Sequence, residues 1–167
     1  MKIKLTNISG YHSKVINEDG NSIKVDNKSI DNPQGVSPME LLLMGVAGCS
    51  SIDIISILKK QKQHFKDLTI EVEGEREKVD LANLFKKIHA EVKFLGEVDP
   101  KKAFKACELS FTKYCSVSKM LEDKAKVSFS VFVNGEKYEV WNFMLCLLFS
   151  NFFIKHIGKL VKTYHDH

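Results

Sequence analysis

Arginine is almost missing. Of 25 basic side chains only Arg76 is arginine, and the other basic residues are lysines that alternate with glutamates along the chain. A nucleic-acid reader gathers Arg and Lys on one face with aromatic or polar readers among them, so this distribution argues against direct nucleic-acid binding. The net charge of +4 is mild. Cysteine is scarce as well: the four thiols, Cys49, Cys107, Cys115 and Cys146, include no Cys-x-x-Cys pair. That excludes a disulfide framework and leaves no zinc-ligand spacing, so no metal and no cofactor is expected. No basic segment followed by an apolar run opens the chain, so no secretory signal is expected, and free thiols point to a reducing cytoplasm. Long apolar runs are missing too. The longest, Trp141 to Ile154, spans 14 residues and contains Asn142 and Asn151. It is short of the roughly 20 residues that span a bilayer.

What is present is the balance of a folded soluble domain, with 44% hydrophobic and 28% charged residues in 167 positions. That is the size of one domain, with no need of staples for its core. A composition break falls near residue 140. Residues 1–140 hold 22 basic and 20 acidic side chains, whereas 141–167 hold the only tryptophan, four of eleven phenylalanines and three of six histidines. We therefore expect a folded body over 1–140 and an apolar then basic extension over 141–167. The extension is expected as a helix docked on the body, on a partner subunit or, less readily, on a lipid surface.

Three short alternating segments, Lys2–Asn7, His12–Ile16 and Ser22–Asp26, predict a small antiparallel meander. Ser37-Pro38-Met39-Glu40 then combines a Ser N-cap, a helix-start proline and a Glu three positions after the cap, which is a capping box. The helix it opens can reach Lys62. Its first half is apolar all round, which predicts burial on every side. Gly45 and Gly48 inside it suggest close approach of another backbone. Leu68–Glu75 and Phe85–Phe94 predict a hairpin joined over 76–84. Asp99-Pro100 caps a second helix, and Ser116–Glu122 forms a short one. Lys126–Val133 and Glu136–Val140 complete the list around the Asn134-Gly135 turn. Strands and helices segregate, so the fold class is α+β.

Two cysteines carry the chemical interest. Cys49 lies inside the long helix, where a thiol packs as a small hydrophobe unless something activates it. Cys115 stands at the start of a short helix between Lys113 and Lys119, where backbone N–H groups and positive charge would favour the thiolate. Cys107 lies among Ala106, Leu109 and Phe111 and reads as core.

Ser37-Pro38-Met39-Glu40-Leu41-Leu42-Leu43-Met44-Gly45-Val46-Ala47-Gly48-Cys49 resembles the helix of the OsmC and Ohr family. Lys113-Tyr114-Cys115-Ser116-Val117-Ser118-Lys119 resembles that family's second cysteine motif, and the detail of both looks most like its YhfA-like branch. The resemblance covers roughly residues 1–138; the segment from Trp141 has no counterpart in it. It implies a swapped homodimer, with antiparallel sheets around long buried central helices and two sites at the subunit interface. In the family's hydroperoxide reductases the first cysteine attacks an organic hydroperoxide and becomes a sulfenic acid. The second traps it as a disulfide, and a dithiol reductant restores both. By motif match these are Cys49 and Cys115, and the apolar surroundings suit an alkyl hydroperoxide. The reductases activate the first thiol with an arginine of the N-terminal sheet and a glutamate directly after the helix-start proline. Here that sheet has no arginine, and Met39 follows Pro38. Glu40 comes one position later. Asp53, one turn beyond Cys49, would raise a neighbouring thiol's pKa as an anion. Two functions are therefore expected from this chain. One is reduction of organic hydroperoxides; the alternative is a non-catalytic dimer that binds a small apolar ligand at its interface.

Overall fold

The capping box forms as the sequence demands. In the computed structural model, which describes residues 1–139, the Ser37 hydroxyl accepts from the Glu40 amide, and the Glu40 carboxylate accepts from the Ser37 amide at 2.9 Å. Helix α1 then runs Pro38–Lys60. Before it lie β1 (Ile3–Ser9), β2 (His12–Asn17) and β3 (Ser22–Val25), the expected antiparallel meander. After it come β4 (Asp67–Val79) and β5 (Ala82–Leu95), helix α2 (Pro100–Leu109), helix α3 (Ser116–Leu121), β6 (Lys126–Val133) and β7 (Glu136–Tyr138). The protein is α+β. The extension expected over residues 141–167 lies outside the described residues.

The second sheet has the order β4-β5-β6-β7. It is mixed rather than antiparallel, because β6 pairs parallel to β5, with Ala90 opposite Phe129 and Val92 opposite Val131. A parallel neighbour needs a crossover, and α2 and α3 supply it. The β4–β5 hairpin is also longer than the sequence suggested. Its strands continue through 76–84 and turn at Asp80-Leu81, with Asp80 at φ 54°. Aspartate tolerates that left-handed conformation, so no glycine marked the turn. Gly74 is required for another reason: a Cβ there would meet the Phe85 ring at 2.4 Å.

The core lies between α1, the inner face of β5 and β6, and α2. Val46, Ile54 and Leu58 of α1 meet Ala90, Val92 and Phe94, Ala103, Ala106 and Cys107, and Val131 and Val133. Along β5 every second residue from Ile88 to Phe94 is buried, while Lys87, His89, Glu91 and Lys93 face outward. Burial pushes the Cys107 thiol up to about 12, so it is an inert core residue.

Two surfaces are left uncovered among the described residues. Among the described residues of one chain helix α1 keeps an open side, where Met44 is 47% and Ile52 68% exposed and Gly48 faces open space. The N-terminal sheet contributes nothing to either core cluster. Its cross-strand row Leu5–Val15–Ile23 leaves Leu5 56% exposed. The meander is tied to the body through the loop before α1. There Val25 bridges Val36, and the buried Asp26 carboxylate accepts from the amides of Asn27 and Gln34. Those amide bonds, Gln34 first, hold Asp26 below the usual carboxylate range.

Candidate functional site

Residues four apart on a helix share a face. Gly45, Cys49 and Asp53 form such a row on α1, and each meets one residue of the crossover. A Cβ on Gly45 would sit 3.4 Å from the Val117 side chain of α3. At Gly45 α3 therefore packs against α1 within one chain, with room for ordinary contact, while Gly48 meets nothing among the described residues. One turn on, the Cys49 thiol stands near the Cys115 thiol and adds to the rise of its pKa. One turn further, the Asp53 carboxylate accepts from the Ser110 hydroxyl at 3.2 Å. Ser110 is itself fully buried and also leans on the Ser50 carbonyl at 3.4 Å.

The backbone of the crossover explains how Cys115 reaches this row. Between α2 and α3 the chain makes a π-turn over Ser110–Tyr114, in which the Cys115 amide donates to the Ser110 carbonyl at 2.8 Å. The wider turn adds a residue without a helical register and swings Cys115 in toward α1. Cys115 then serves as N-cap of α3, and its sulfur accepts from the Ser118 amide at 3.4 Å and the Ser118 hydroxyl at 3.1 Å. No residue type in the sequence announces a π-turn, and Ser118 was not singled out.

The electrostatics of Cys115 differ from the sequence expectation. Cys115 is completely buried, and that desolvation raises its pKa; the Ser118 hydrogen bonds pull the other way, and the Cys49 thiol adds to the rise. The lysines that flank it in sequence do not reach the sulfur. Lys113 lies over the Tyr114 ring, 5.3 Å from its centre, and Lys119 pairs with Glu122 at 2.6 Å. Cys115 is thus a protonated thiol poised beside two donors rather than an activated thiolate. Cys49 is half-buried, on the side of α1 next to the open stripe of Gly48 and Ile52. Cys49, Cys107 and Cys115 are all reduced.

The groups that might have activated a thiol are elsewhere. Glu40 pairs with Lys28 and completes the capping box. These bonds, Lys28 first, lower it from 4.5 to about 2. Arg76 sits on the β4–β5 hairpin, where its guanidinium donates to the Asn83 carbonyl at 2.9 Å. Among the described residues no cluster of three or more His, Cys, Asp or Glu side chains is placed to hold a metal ion. Two clefts flank the cysteine row. One, of ≈ 410 Å³, lies between Asp53, Ile57, Lys60, Leu109 and Tyr114. The other, of ≈ 290 Å³, is apolar and lies between Leu43, Met44 and Ala47 of α1 and Ile70 and Val72 of β4.

Comparison with known proteins gives this geometry a context. Residues 31–130 match the family described as OsmC-like protein. The chain is 36% identical over 112 residues to protein YhfA of Escherichia coli strain K12, a match spanning 66% of this chain and 81% of YhfA. Among solved structures it is similar to a hypothetical protein from Aquifex aeolicus VF5, at 30% identity and TM-score 0.67, with 80% and 96% of the two chains covered. The organic hydroperoxide resistance protein OhrB of Bacillus subtilis shares the fold at 19% identity and TM-score 0.61, over 78% of this chain and 98% of OhrB.

Proposed function

Because the chain belongs to the OsmC-like family, we propose that it is a cytoplasmic dithiol enzyme that reduces organic hydroperoxides. The observation that carries this reading is that α1 packs against α3 and the turn before it, which brings Cys49 near enough to Cys115, 66 positions away in sequence, to raise its pKa. Cys49 is the nucleophile, since it is half-exposed while burial keeps the Cys115 proton in place. The Cys49 thiolate attacks the distal oxygen of the hydroperoxide, the O–O bond breaks, and the alkoxide leaves as the alcohol after taking a proton. Cys49 is now a sulfenic acid. The Cys115 sulfur then gives up its proton and attacks Cys49. The S–O bond breaks, and water carries away the oxygen with that proton. The Ser118 donors stabilise the charge that develops on the Cys115 sulfur. A dithiol reductant reduces the disulfide and is itself oxidised.

The enzyme acts as a homodimer. Met44, Gly48 and Ile52, on α1 next to Cys49, and the separate Leu5–Val15–Ile23 row offer a second copy apolar surface. A second reading rests on the α1–β4 cleft. Its Leu43, Met44, Ile70 and Val72 walls suit a small apolar ligand held without chemistry. Cumene hydroperoxide separates the two. The redox reading expects one equivalent to link Cys49 to Cys115 within a chain, located by mass spectrometry. It expects Cys49→Ser to abolish peroxide consumption and Cys115→Ser to accumulate the sulfenic acid. Thiols left intact by excess hydroperoxide would discard the enzyme and leave the binding module.

A further inference from the structure

Cys49, Asp53 and Ile57 follow one another at four-residue intervals along one face of α1, so each lies about 6 Å beyond the last. A carboxylate on a helix flank is ordinarily left to water. Asp53 is instead half-buried and held from the crossover. The fully buried Ser110 donates its hydroxyl to Asp53 Oδ2 at 3.2 Å, and the Ser50 carbonyl, 3.4 Å away, keeps that hydroxyl against α1. The same carboxylate lines the cleft of ≈ 410 Å³ whose other walls include Ile57, Leu109 and Tyr114.

We propose that Asp53 is a catalytic residue of the first step, the group that takes the proton of the Cys49 thiol and hands it to the leaving alkoxide, with Ser110 as its positioning residue. The inference rests on the hydroperoxide-reductase reading and supplies the proton that this reading requires. A sulfur that displaces one oxygen from another attacks in line with the bond that breaks. With the distal oxygen at Cys49, the leaving oxygen lies further along that line, and one helical turn on stands Asp53. The alkyl group follows into the cleft against Ile57 and Leu109. The Cys49 S–H gives its proton to the Asp53 carboxylate as the sulfur bonds to the distal oxygen. The electron pair of the O–O bond goes to the alkoxide. The Asp53 carboxylic acid protonates that alkoxide, the alcohol leaves, and Asp53 is a carboxylate again beside a Cys49 sulfenic acid. The other titratable groups near Asp53 are placed for other work. Lys60 lies about 10 Å beyond it along α1, the Tyr114 ring carries Lys113, and Cys115 keeps its proton for the second step.

An alkoxide needs a proton in order to leave, and a carboxylate does not. Cumene hydroperoxide and peracetic acid therefore separate proton delivery from every other contribution of Asp53. In the full chain carrying Cys115→Ser, so that only the first step is read, formation of the Cys49 sulfenic acid is followed with each oxidant at neutral pH. The ratio of the two rates, cumene hydroperoxide over peracetic acid, should fall about 10²-fold in Asp53→Asn. It should fall less in Ser110→Ala, which keeps the carboxylate and loses its anchor, and Asp53→Glu should recover part of it. A role in folding or in charge alone slows or speeds both oxidants together and leaves the ratio where it was. An Asp53→Asn ratio equal to that of the parent chain overturns the proposal while the reductase reading stands. A parent chain that reacts with neither oxidant discards that reading and the proposal with it. The wild type gives a second measure should Asp53→Asn fail to fold. In D2O it should slow with cumene hydroperoxide more than with peracetic acid, and equal slowing overturns the assignment.

Discussion

Removing the Ser118 hydroxyl should slow disulfide closure while sparing attack on peroxide. In Ser118→Ala the Cys115 sulfur keeps the amide donor at 3.4 Å and loses the hydroxyl at 3.1 Å. A hydrogen bond to a charged acceptor contributes about 1.5–3 kcal/mol, and a soft sulfur acceptor belongs at the low end. At 1.4 kcal/mol per factor of ten, the Cys115 thiolate population at neutral pH falls by about tenfold. A more basic thiolate is a better nucleophile, and a Brønsted slope of about 0.4–0.5 returns roughly threefold of that. The net expectation is closure about three- to fourfold slower. The assay is rapid quench after one equivalent of cumene hydroperoxide, with the Cys49 sulfenic acid trapped by dimedone. Its rate of appearance should be unchanged and its lifetime lengthened. Diamide oxidation offers a second readout that needs no peroxide chemistry. Closure at the wild-type rate in both assays would refute the assignment of Ser118 as the group that stabilises the attacking sulfur.

Gly45→Leu should force α3 off α1 at Val117, cost about 1–3 kcal/mol by overpacking, and slow diamide closure of Cys49 with Cys115, measured by denaturant melts and mass spectrometry. Gly48→Leu meets nothing among the described residues; if a second copy packs there, it should lower the dimer fraction seen by light scattering and leave closure in the monomer intact. Glu40→Gln keeps the capping box but loses the charge paired with Lys28. Because the folded pKa is depressed from 4.5 to about 2, the wild type should be the more stable above pH 4.5. The gap, about 1 kcal/mol for an exposed pair at a helix start, should close as pH falls toward 2 in urea titrations.

The elements most legible in the sequence were those set by neighbours in sequence. Ser37-Pro38-Met39-Glu40 announced the start of α1 and Asp99-Pro100 that of α2, since a cap is a contact three residues long. Asn134-Gly135 announced the β6–β7 turn in the same way. Features that depend on what packs against a segment were read less well. Helix α1 looked buried on every side because composition reports that a surface is apolar, not which chain covers it. Cys115 looked activated because its helix start and flanking lysines are local, whereas the burial that raises its pKa comes from the rest of the fold. The motif spacing put Cys49 and Cys115 on the page through resemblance alone. Their nearness depends on the π-turn at Ser110–Tyr114, which no residue in that stretch encodes by itself.

The meander of β1, β2 and β3 has a consequence for how the protein behaves in a dilute cell extract. Its strands hydrogen-bond to one another but add nothing to the core clusters, and an isolated small sheet with one open apolar face is marginal in water. If a second copy covers Leu5, Val15 and Ile23, its order is borrowed and follows mass action. Dilution, more than heat, should then loosen this part of the molecule. Proteases should find the first 25 residues long before they find the hairpin of β4 and β5.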